Sequence, residues 1–215
     1  MRTAINVLII LTVALVIGLV MRSQNQRLAP VEEENWTATV EQGENAGDLT
    51  QVERGDGWLT SFELTERSGE TVASESLKGQ PYIASFFFST CPSICKLQNE
   101  KLQQLQTEFE GQPIRFVAIT VDPEIDTPEK LQEYALRYNA DEDQWLFLTG
   151  DLTYIKRIGA EMFSTHVAKQ VHTERFFLVD GEGNVVRYYT WSDQGQFKKL
   201  QEDIRELIDG KQGTA

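Results

Sequence analysis

The sequence predicts an α/β domain built on a mixed central sheet, and three observations support this fold class. First, short apolar runs rich in aromatic and β-branched residues alternate along the chain with amphipathic segments of helical period. Second, hydrophobic residues make up 40% of the 215 residues and aromatic residues 10%, which is enough to form a core. Third, the last two apolar runs are joined by a short turn, which predicts an antiparallel hairpin at one edge.

Five segments predict strands. The first two are continuous apolar runs, as expected for strands that are buried on both faces of a sheet. The last two flank the sequence Asp-Gly-Glu-Gly, which is typical of a hairpin turn. The five predicted strands cover residues 81–88, 114–121, 145–148, 173–179 and 184–191.

Four amphipathic segments predict helices between and after these strands. The first covers 92–109, with Pro92 expected at the first helical position. The second starts at Thr127, a capping hydroxyl followed by proline and glutamate, and the third starts at Asp151. The fourth carries apolar residues at helical spacing between 197 and 207. A β-α-β unit closed by β-β-α is the thioredoxin-like arrangement, and the additional strand and helix in the middle would be an insertion.

Residues 1–21 predict a membrane anchor that precedes this domain. The 19 residues from 3 to 21 are uncharged and, from residue 7 onward, almost all Leu, Ile, Val or Ala. As a helix they would span ~28 Å, about the hydrocarbon thickness of a bilayer. A cleaved signal peptide is the alternative, but no small-residue cleavage site follows the run, and no cysteine follows it for lipid attachment. We therefore expect one uncleaved transmembrane helix, and the short leading segment favours a bacterial protein.

Residues 22–57 predict an acidic, flexible tether. They contain three consecutive glutamates at 32–34, several Gln, Asn and Gly residues, and few apolar side chains, so they cannot bury enough surface to order themselves. The globular domain is then expected at 58–209, with a short tail at 210–215. Arginines flank the predicted anchor on both sides, so charge counting leaves its orientation open.

The charge balance excludes one class of partner. The chain has 20 Lys and Arg against 33 Asp and Glu, a net charge of −13. Nucleic acids are bound by clustered Lys and Arg that displace counterions, and the chain contains no such cluster. No nucleic-acid partner is therefore expected.

Cys91 and Cys95 are the only cysteines, and their spacing predicts that they act as a pair. In a helix, residues four apart lie one turn apart on the same face. This pair would open at the N-terminus of the first predicted helix. There the partial positive charge and the free backbone N–H groups stabilise a thiolate and lower the pKa of Cys91 in particular. Two inert core cysteines would be unusual at such a strand-turn-helix junction.

Three chemistries are open to this pair. Dithiol–disulfide exchange needs only two sulfurs and a lowered pKa. Cu(I) prefers sulfur and accepts three-coordinate sites that include an imidazole. Zinc requires four ligands, and the 70 residues between Cys95 and His166 are far from zinc-finger spacing. His172 begins the first strand of the hairpin, beside the edge where the cysteines are expected. It is therefore a candidate metal ligand or a candidate base for the thiols. His166 is expected to be solvent-exposed and to have no role at the site.

Residues 58–209 resemble the Sco/SenC family of membrane-anchored, thioredoxin-fold copper proteins, which serve assembly of the binuclear copper site of cytochrome c oxidase. Two motifs carry the resemblance, F-F-F-S-T-C-P-S-I-C at 86–95 and V-D-P-E-I-D-T-P-E at 121–129. A lone histidine before a hairpin, His172, follows them in the family order. The two motifs together are specific, whereas either one alone would only be suggestive.

The resemblance implies that Cys91, Cys95 and His172 bind one copper ion. It also implies that the domain lies on the outer, periplasmic face of the bacterial cytoplasmic membrane. The protein would then be a copper metallochaperone whose partner is the copper subunit of cytochrome c oxidase or another periplasmic copper protein. Asp122 is expected either near the rim of the site or as the cap of the following turn.

A thiol–disulfide oxidoreductase is the alternative function, with Cys91 and Cys95 as the redox pair that reduces cysteines of a copper-site acceptor. Two departures from the family pattern leave the balance open. Lys96 stands where family members commonly have proline, and Val171 stands where they commonly have an acid. A peroxiredoxin-like activity is disfavoured, because that chemistry commonly uses one nucleophilic cysteine beside an arginine.

Overall fold

The computed structural model describes residues 47–49, 55, 57–171 and 173–212. The predicted anchor at 1–21, most of the predicted tether and His172 lie outside the described residues. Within the described part of the chain, none of the helices combines the length and the apolar character needed to cross a membrane.

In the described residues, eight strands form one mixed sheet. They are β1 (Gly47–Asp48), β2 (Glu63–Glu66), β3 (Thr71–Ala73), β4 (Tyr82–Phe87), β5 (Arg115–Thr120), β6 (Trp145–Thr149), β7 (Arg175–Val179) and β8 (Val185–Thr190). Their order across the sheet is β1-β8-β7-β4-β5-β6-β2-β3. The pairs β4–β5 and β5–β6 are parallel, and all other neighbours are antiparallel.

Four α-helices accompany this sheet in the part of the chain that the structure describes. They are α1 (Ile94–Glu108), α2 (Pro128–Leu136), α3 (Leu152–Arg157) and α4 (Gln194–Gln212). A short 3-10 helix at Ser74–Leu77 precedes β4, and a π-helical turn at Ile158–Met162 extends α3.

The unit β4-α1-β5 followed by β7-β8-α4 confirms the predicted thioredoxin-like core. The predicted insertion corresponds to β6 and its neighbouring helices, because β6 pairs in parallel with the outer side of β5 and so widens the sheet. Every residue of β4 is buried, as the continuous apolar run predicts.

Aromatic side chains cover the two faces of β4 in different ways. Phe87 stacks on Tyr134 of α2 with ring centroids 5.3 Å apart and meets Phe147 edge-on. Its neighbour Phe86 contacts Phe163 and Phe177 in edge-to-face geometry instead. Since successive strand residues point to opposite faces, the sheet is packed on both sides at the strand that leads to Cys91.

Two helix starts were predicted correctly because their caps are local. The Thr127 hydroxyl accepts a hydrogen bond from the backbone N–H of Lys130 at 3.4 Å, and Pro128 opens α2. The Asp151 carboxylate accepts one from the N–H of Tyr154 at 2.8 Å and begins α3. Both satisfy N–H groups that have no partner inside the helix.

The start of α1 was predicted wrongly. The helix begins at Ile94, so Pro92 is not at its first position and Cys91 lies before it. The preceding Ser93 has a non-helical backbone (φ −145°, ψ −67°), and its side chain makes no capping hydrogen bond. The chain instead turns where the N–H of Cys91 donates to the carbonyl of Phe88 at 3.3 Å, which delays the helix.

Three short strands and the π-helical turn were not predicted. The strand β2 carries glutamate at both ends, a residue that strands disfavour, and it pairs with only three residues of β3 and two of β6. In the π-helical turn, the backbone of Gly159 lies against the side chain of Val167. A Cβ at this position would lie 2.2 Å from a methyl group of Val167, so glycine fits there and a larger residue does not.

Candidate functional site

Cys91 and Cys95 lie where the chain leaves β4 and enters α1. Cys91 is partly exposed, Cys95 is buried, and they do not form a disulfide. The N–H of Cys95 donates to the sulfur of Cys91 at 3.4 Å. The sulfur of Cys91 therefore occupies the place of a capping oxygen at the N-terminus of α1, although Cys91 itself precedes the helix.

The pKa values of the two thiols are shifted in opposite directions. Partial burial acts to raise the pKa of Cys91, but hydrogen bonds from the backbone at Cys95, Ser93 and Ile94 outweigh it, and the pKa lies below its ordinary value. Burial raises the pKa of Cys95 to about 12, and the neighbouring Cys91 and Asp126 add to the shift. Cys91 is therefore the more acidic and the more accessible of the two thiols, whereas Cys95 is buried and holds its proton more strongly.

Asp126 joins the segments that follow β4 and β5. Its buried carboxylate accepts hydrogen bonds from the N–H of Ser89, at 3.1 Å, and from the hydroxyls of Ser89 and Thr120. These contacts fix the residues just before Cys91 against the turn after β5. Asp126 was assigned no role from the sequence; its place in the 121–129 motif was the available signal.

Asp122 joins the same turn to the segment that precedes β7. The side chain of Gln170 donates to the buried Asp122 carboxylate at 2.8 Å, and the ammonium of Lys169 lies 3.8 Å from its other oxygen. The carbonyl of Asp122 also accepts the N–H groups of Ile125 and Asp126. Of the two positions expected for Asp122, the turn is observed, and the backbone carbonyl of Asp122 closes it.

The third predicted ligand, His172, lies outside the described residues. Its neighbour Val171 is 46% exposed and forms an isolated bridge with Ala168, and the N–H of Gln170 donates to the carbonyl of Val121. Among the described residues, no three His, Cys, Asp or Glu side chains are grouped closely enough to hold a metal ion. His166 is exposed, as expected.

Cys91 opens into a pocket of about 330 Å³ between α1 and the end of α2. Its lining also contains Ser89, Pro92, Lys96, Glu100, Gln103, Tyr134, Arg137 and Tyr138. Beneath it lies a buried polar layer in which the side chain of Asn99 donates to the Tyr134 hydroxyl at 2.9 Å. The pocket was not predicted from the sequence, because it forms between residues some 40 positions apart.

The fold and the site define a thioredoxin-like protein with an asymmetric dithiol at the start of its first core helix. The chain belongs to the SCO1/SenC family, whose sequence profile matches residues 51–209. A curated relative, the SCO1 protein homolog of Bacillus subtilis (strain 168), is 29% identical over 153 residues, which cover 67% of this chain and 79% of the relative.

Solved structures of the family have the same fold. BsSco, described as a member of the Sco family of cytochrome c oxidase assembly proteins with a disulfide switch, is 28% identical with a TM-score of 0.62. The match covers 73% of this chain and 98% of BsSco. ScoI of Arabidopsis thaliana, solved with copper bound, is 25% identical with a TM-score of 0.57, and the match covers 70% of this chain and 97% of that one.

Proposed function

We propose that this protein is a membrane-anchored copper metallochaperone. It binds one copper ion through Cys91, Cys95 and His172 and delivers it for assembly of the binuclear copper site of cytochrome c oxidase. The observation that carries the proposal is the contact between the Cys91 sulfur and the first turn of α1, beside the second thiol. Copper-bound Sco structures and the oxidase-assembly role given for BsSco support it.

The donor chemistry of the site fits copper. Two thiols at one helix turn offer a soft cation two sulfur ligands, which suits Cu(I) better than the hard cations. They are too few by themselves, and no described side chain supplies a third donor in a group with them. The hydrogen bonds of Gln170 to Asp122 and Val121 hold the chain two residues before His172 against the turn that Asp126 ties to Ser89. This linkage supports His172 as the third ligand.

The two thiols have different parts in loading and release. Binding displaces the protons of both, at little cost for Cys91 and at a larger cost for the buried Cys95. An acceptor can approach only from the side of Cys91, because Cys95 is buried. Exchange of ligands therefore begins at Cys91, before the buried Cys95 is released.

A Cu(I) competition titration tests this proposal. It uses the full chain, reduced and anaerobic in nonionic detergent, beside the variants Cys95→Ser and His172→Ala. The His166→Ala variant is the matched control, because it removes the other histidine. We expect one equivalent in the parent protein, affinity lowered at least about 100-fold in the two ligand variants, and no change in the control. Equal affinity in the two histidine variants would remove His172 from the site.

A thiol–disulfide oxidoreductase is the second candidate, favoured by the opposite pKa shifts of the two thiols. The Cys91 thiolate would attack a disulfide of the acceptor, forming a mixed disulfide and releasing one acceptor thiol. Cys95 would then attack the Cys91 sulfur, releasing the second thiol and leaving a Cys91–Cys95 disulfide. This reaction needs no imidazole ligand. Full reductase activity of His172→Ala, with copper affinity equal to that of His166→Ala, would select this function.

We propose that residues 1–21 anchor the protein in the cytoplasmic membrane. The tether at 22–57 then connects this anchor to the domain at 58–209, which lies on the outer face of the membrane. The uncharged apolar run supports this arrangement. The copper subunit of the oxidase or another periplasmic copper protein is the proposed partner. We expect the chain to remain with bacterial membranes after alkaline carbonate washing, and to be digested by protease added to spheroplasts. Release by carbonate would contradict the anchor.

A further inference from the structure

The pocket beside Cys91 brings two cations next to the accessible thiol. Lys96 and Arg137 both line it, on α1 and just after α2, and among the described residues Glu100 is the only acidic one in its lining. The protein as a whole carries a net charge of −13, so this lining differs in charge from the bulk of the molecule. A partner that reaches Cys91 therefore meets a local positive charge, although the protein as a whole is negatively charged.

Neither cation is firmly engaged within the described part of the chain. Lys96 is 70% exposed and lies 3.8 Å from Glu100, a distance and exposure at which an ion pair contributes little. The Arg137 guanidinium lies 5.5 Å from the centre of the Tyr134 ring and forms no ion pair with any described residue. Both can therefore turn to an incoming carboxylate at little cost in existing interactions.

An exposed leucine is the chain neighbour of each cation, although neither leucine lines the pocket itself. Four large hydrophobic residues are exposed in the described chain, and two of them are Leu97, which follows Lys96, and Leu136, which precedes Arg137. They are 52% and 69% exposed. A polypeptide segment is large enough to contact both the pocket and the exposed leucines outside it, whereas a small anion would contact the cations alone.

We propose that this pocket docks an acidic segment of the partner protein, in which a carboxylate near the partner's cysteine contacts Lys96 and Arg137. The inference rests on the proposed function, since it names the chemistry of the segment that approaches Cys91. It applies equally to copper transfer and to thiol exchange, because both begin at that sulfur.

Three synthetic peptides provide the test. Each has one cysteine, held as a mixed disulfide with 2-thiopyridine, flanked by aspartates, by serines or by lysines. The Cys91 thiolate attacks the peptide sulfur, the bond to thiopyridine breaks, and thiopyridone leaves with the electron pair; Cys95 then displaces the peptide thiol. The release of thiopyridone by the full reduced chain in nonionic detergent gives the rate of the first step.

The net charge of the protein and the charge of the pocket predict opposite orders of reaction rate for the three peptides. The net charge of −13 favours the lysine peptide, whereas the pocket favours the aspartate peptide by about three- to tenfold over the serine peptide. We expect Lys96→Gln and Arg137→Gln each to reduce this preference, and high salt to abolish it. Lys198→Gln is the matched control, because Lys198 is 79% exposed and also lies 3.8 Å from a glutamate one turn away.

The ratio of the aspartate rate to the serine rate is the decisive quantity, because it cancels any change in the intrinsic reactivity of Cys91. A faster lysine peptide, or an aspartate preference that persists in both pocket variants, would overturn the inference. Either result would leave the copper titration unaffected, so failure here is distinguishable from failure of the proposed function.

Discussion

Cys91 and Cys95 carry the same functional group in different surroundings. The sulfur of Cys91 is partly exposed and accepts a backbone N–H at the start of a helix, whereas that of Cys95 is buried one turn further on. Hydrogen bonding stabilises the charged form of the first, and burial destabilises the charged form of the second. This difference is the basis of the proposal that Cys91 reacts before Cys95.

The reactivity of each thiol can be measured separately in Cys95→Ser and Cys91→Ser with iodoacetamide across a range of pH. Only the thiolate reacts, so the rate of Cys91 should level off below the ordinary thiol pKa of about 8.5. The rate of Cys95 should remain low and still be rising above pH 10, because its pKa is raised to about 12. In denaturant the two profiles should coincide. A faster reaction at Cys95 in the folded protein would refute the assignment.

Two buried carboxylates, Asp122 and Asp126, depend on residues that are distant in sequence. Asp126 accepts from Ser89, 37 positions earlier, and Asp122 from Gln170, 48 positions later. A buried carboxylate is tolerated only where donors surround it, so these contacts hold three loops at one end of the sheet. The sequence identified the motif that contains both acids, but not their partners.

Secondary-structure elements follow local signals where their ends are capped by neighbours in sequence. Thr127 and Asp151 each accept a backbone N–H three residues ahead, and both helix starts were predicted. At α1 the capping atom is the sulfur of Cys91, which no capping rule anticipates, and the predicted start was two residues early.

Two glycines in helical segments should respond oppositely to substitution by alanine. A Cβ at Gly159 would lie 2.2 Å from a methyl of Val167, so Gly159→Ala should lower the free energy of unfolding by about 1–3 kcal/mol. At Gly210, in α4, an added methyl group would meet no described atom within 4 Å apart from its chain neighbours and its own helix backbone, so Gly210→Ala should raise it by up to about 1 kcal/mol. Urea denaturation of the reduced protein measures both. A neutral Gly159→Ala would show that the π-helical turn is not held by this contact.

In the whole domain, the dithiol lies at the C-terminal ends of the parallel strands β4 and β5. Ligands commonly bind at this edge of an α/β sheet, because the connecting loops converge there. The turn after β5 and the segment before β7 reach the same edge, joined through Asp122. The proposed ligands Cys91 and His172 are about 80 positions apart in the sequence, so the proposed copper site requires the folded domain.

Copper should consequently stabilise the fold by mass action. At free Cu(I) about 100 times the dissociation constant, the free energy of unfolding should rise by about 2.7 kcal/mol, less any binding to the unfolded thiols. Anaerobic thermal unfolding should then show a midpoint raised by several degrees in the parent and in His166→Ala. The increase should be smaller in His172→Ala. An equal increase in both variants would contradict the three-ligand site.

The sequence by itself was sufficient for the strands 81–88 and 114–121, the capped helix starts, the pairing of the two cysteines and the family motifs. Each of these depends on apolar periodicity or on residues a few positions apart, which act within one element. The lowered pKa of Cys91 was predicted for the same reason, since it arises from the adjacent helix turn.

Only the tertiary structure decided the rest. The strands β1, β2 and β3 are two to four residues long, too short for a sequence pattern, and each exists because the sheet offers it a partner. The contact of Asp126 with Ser89 and that of Asp122 with Gln170 join residues 37 and 48 positions apart. The pocket beside Cys91 also forms between residues about 40 positions apart, and the difference in exposure of the two thiols depends on the same packing. Such contacts depend on how elements pack against one another, and local sequence patterns carry no information about that packing.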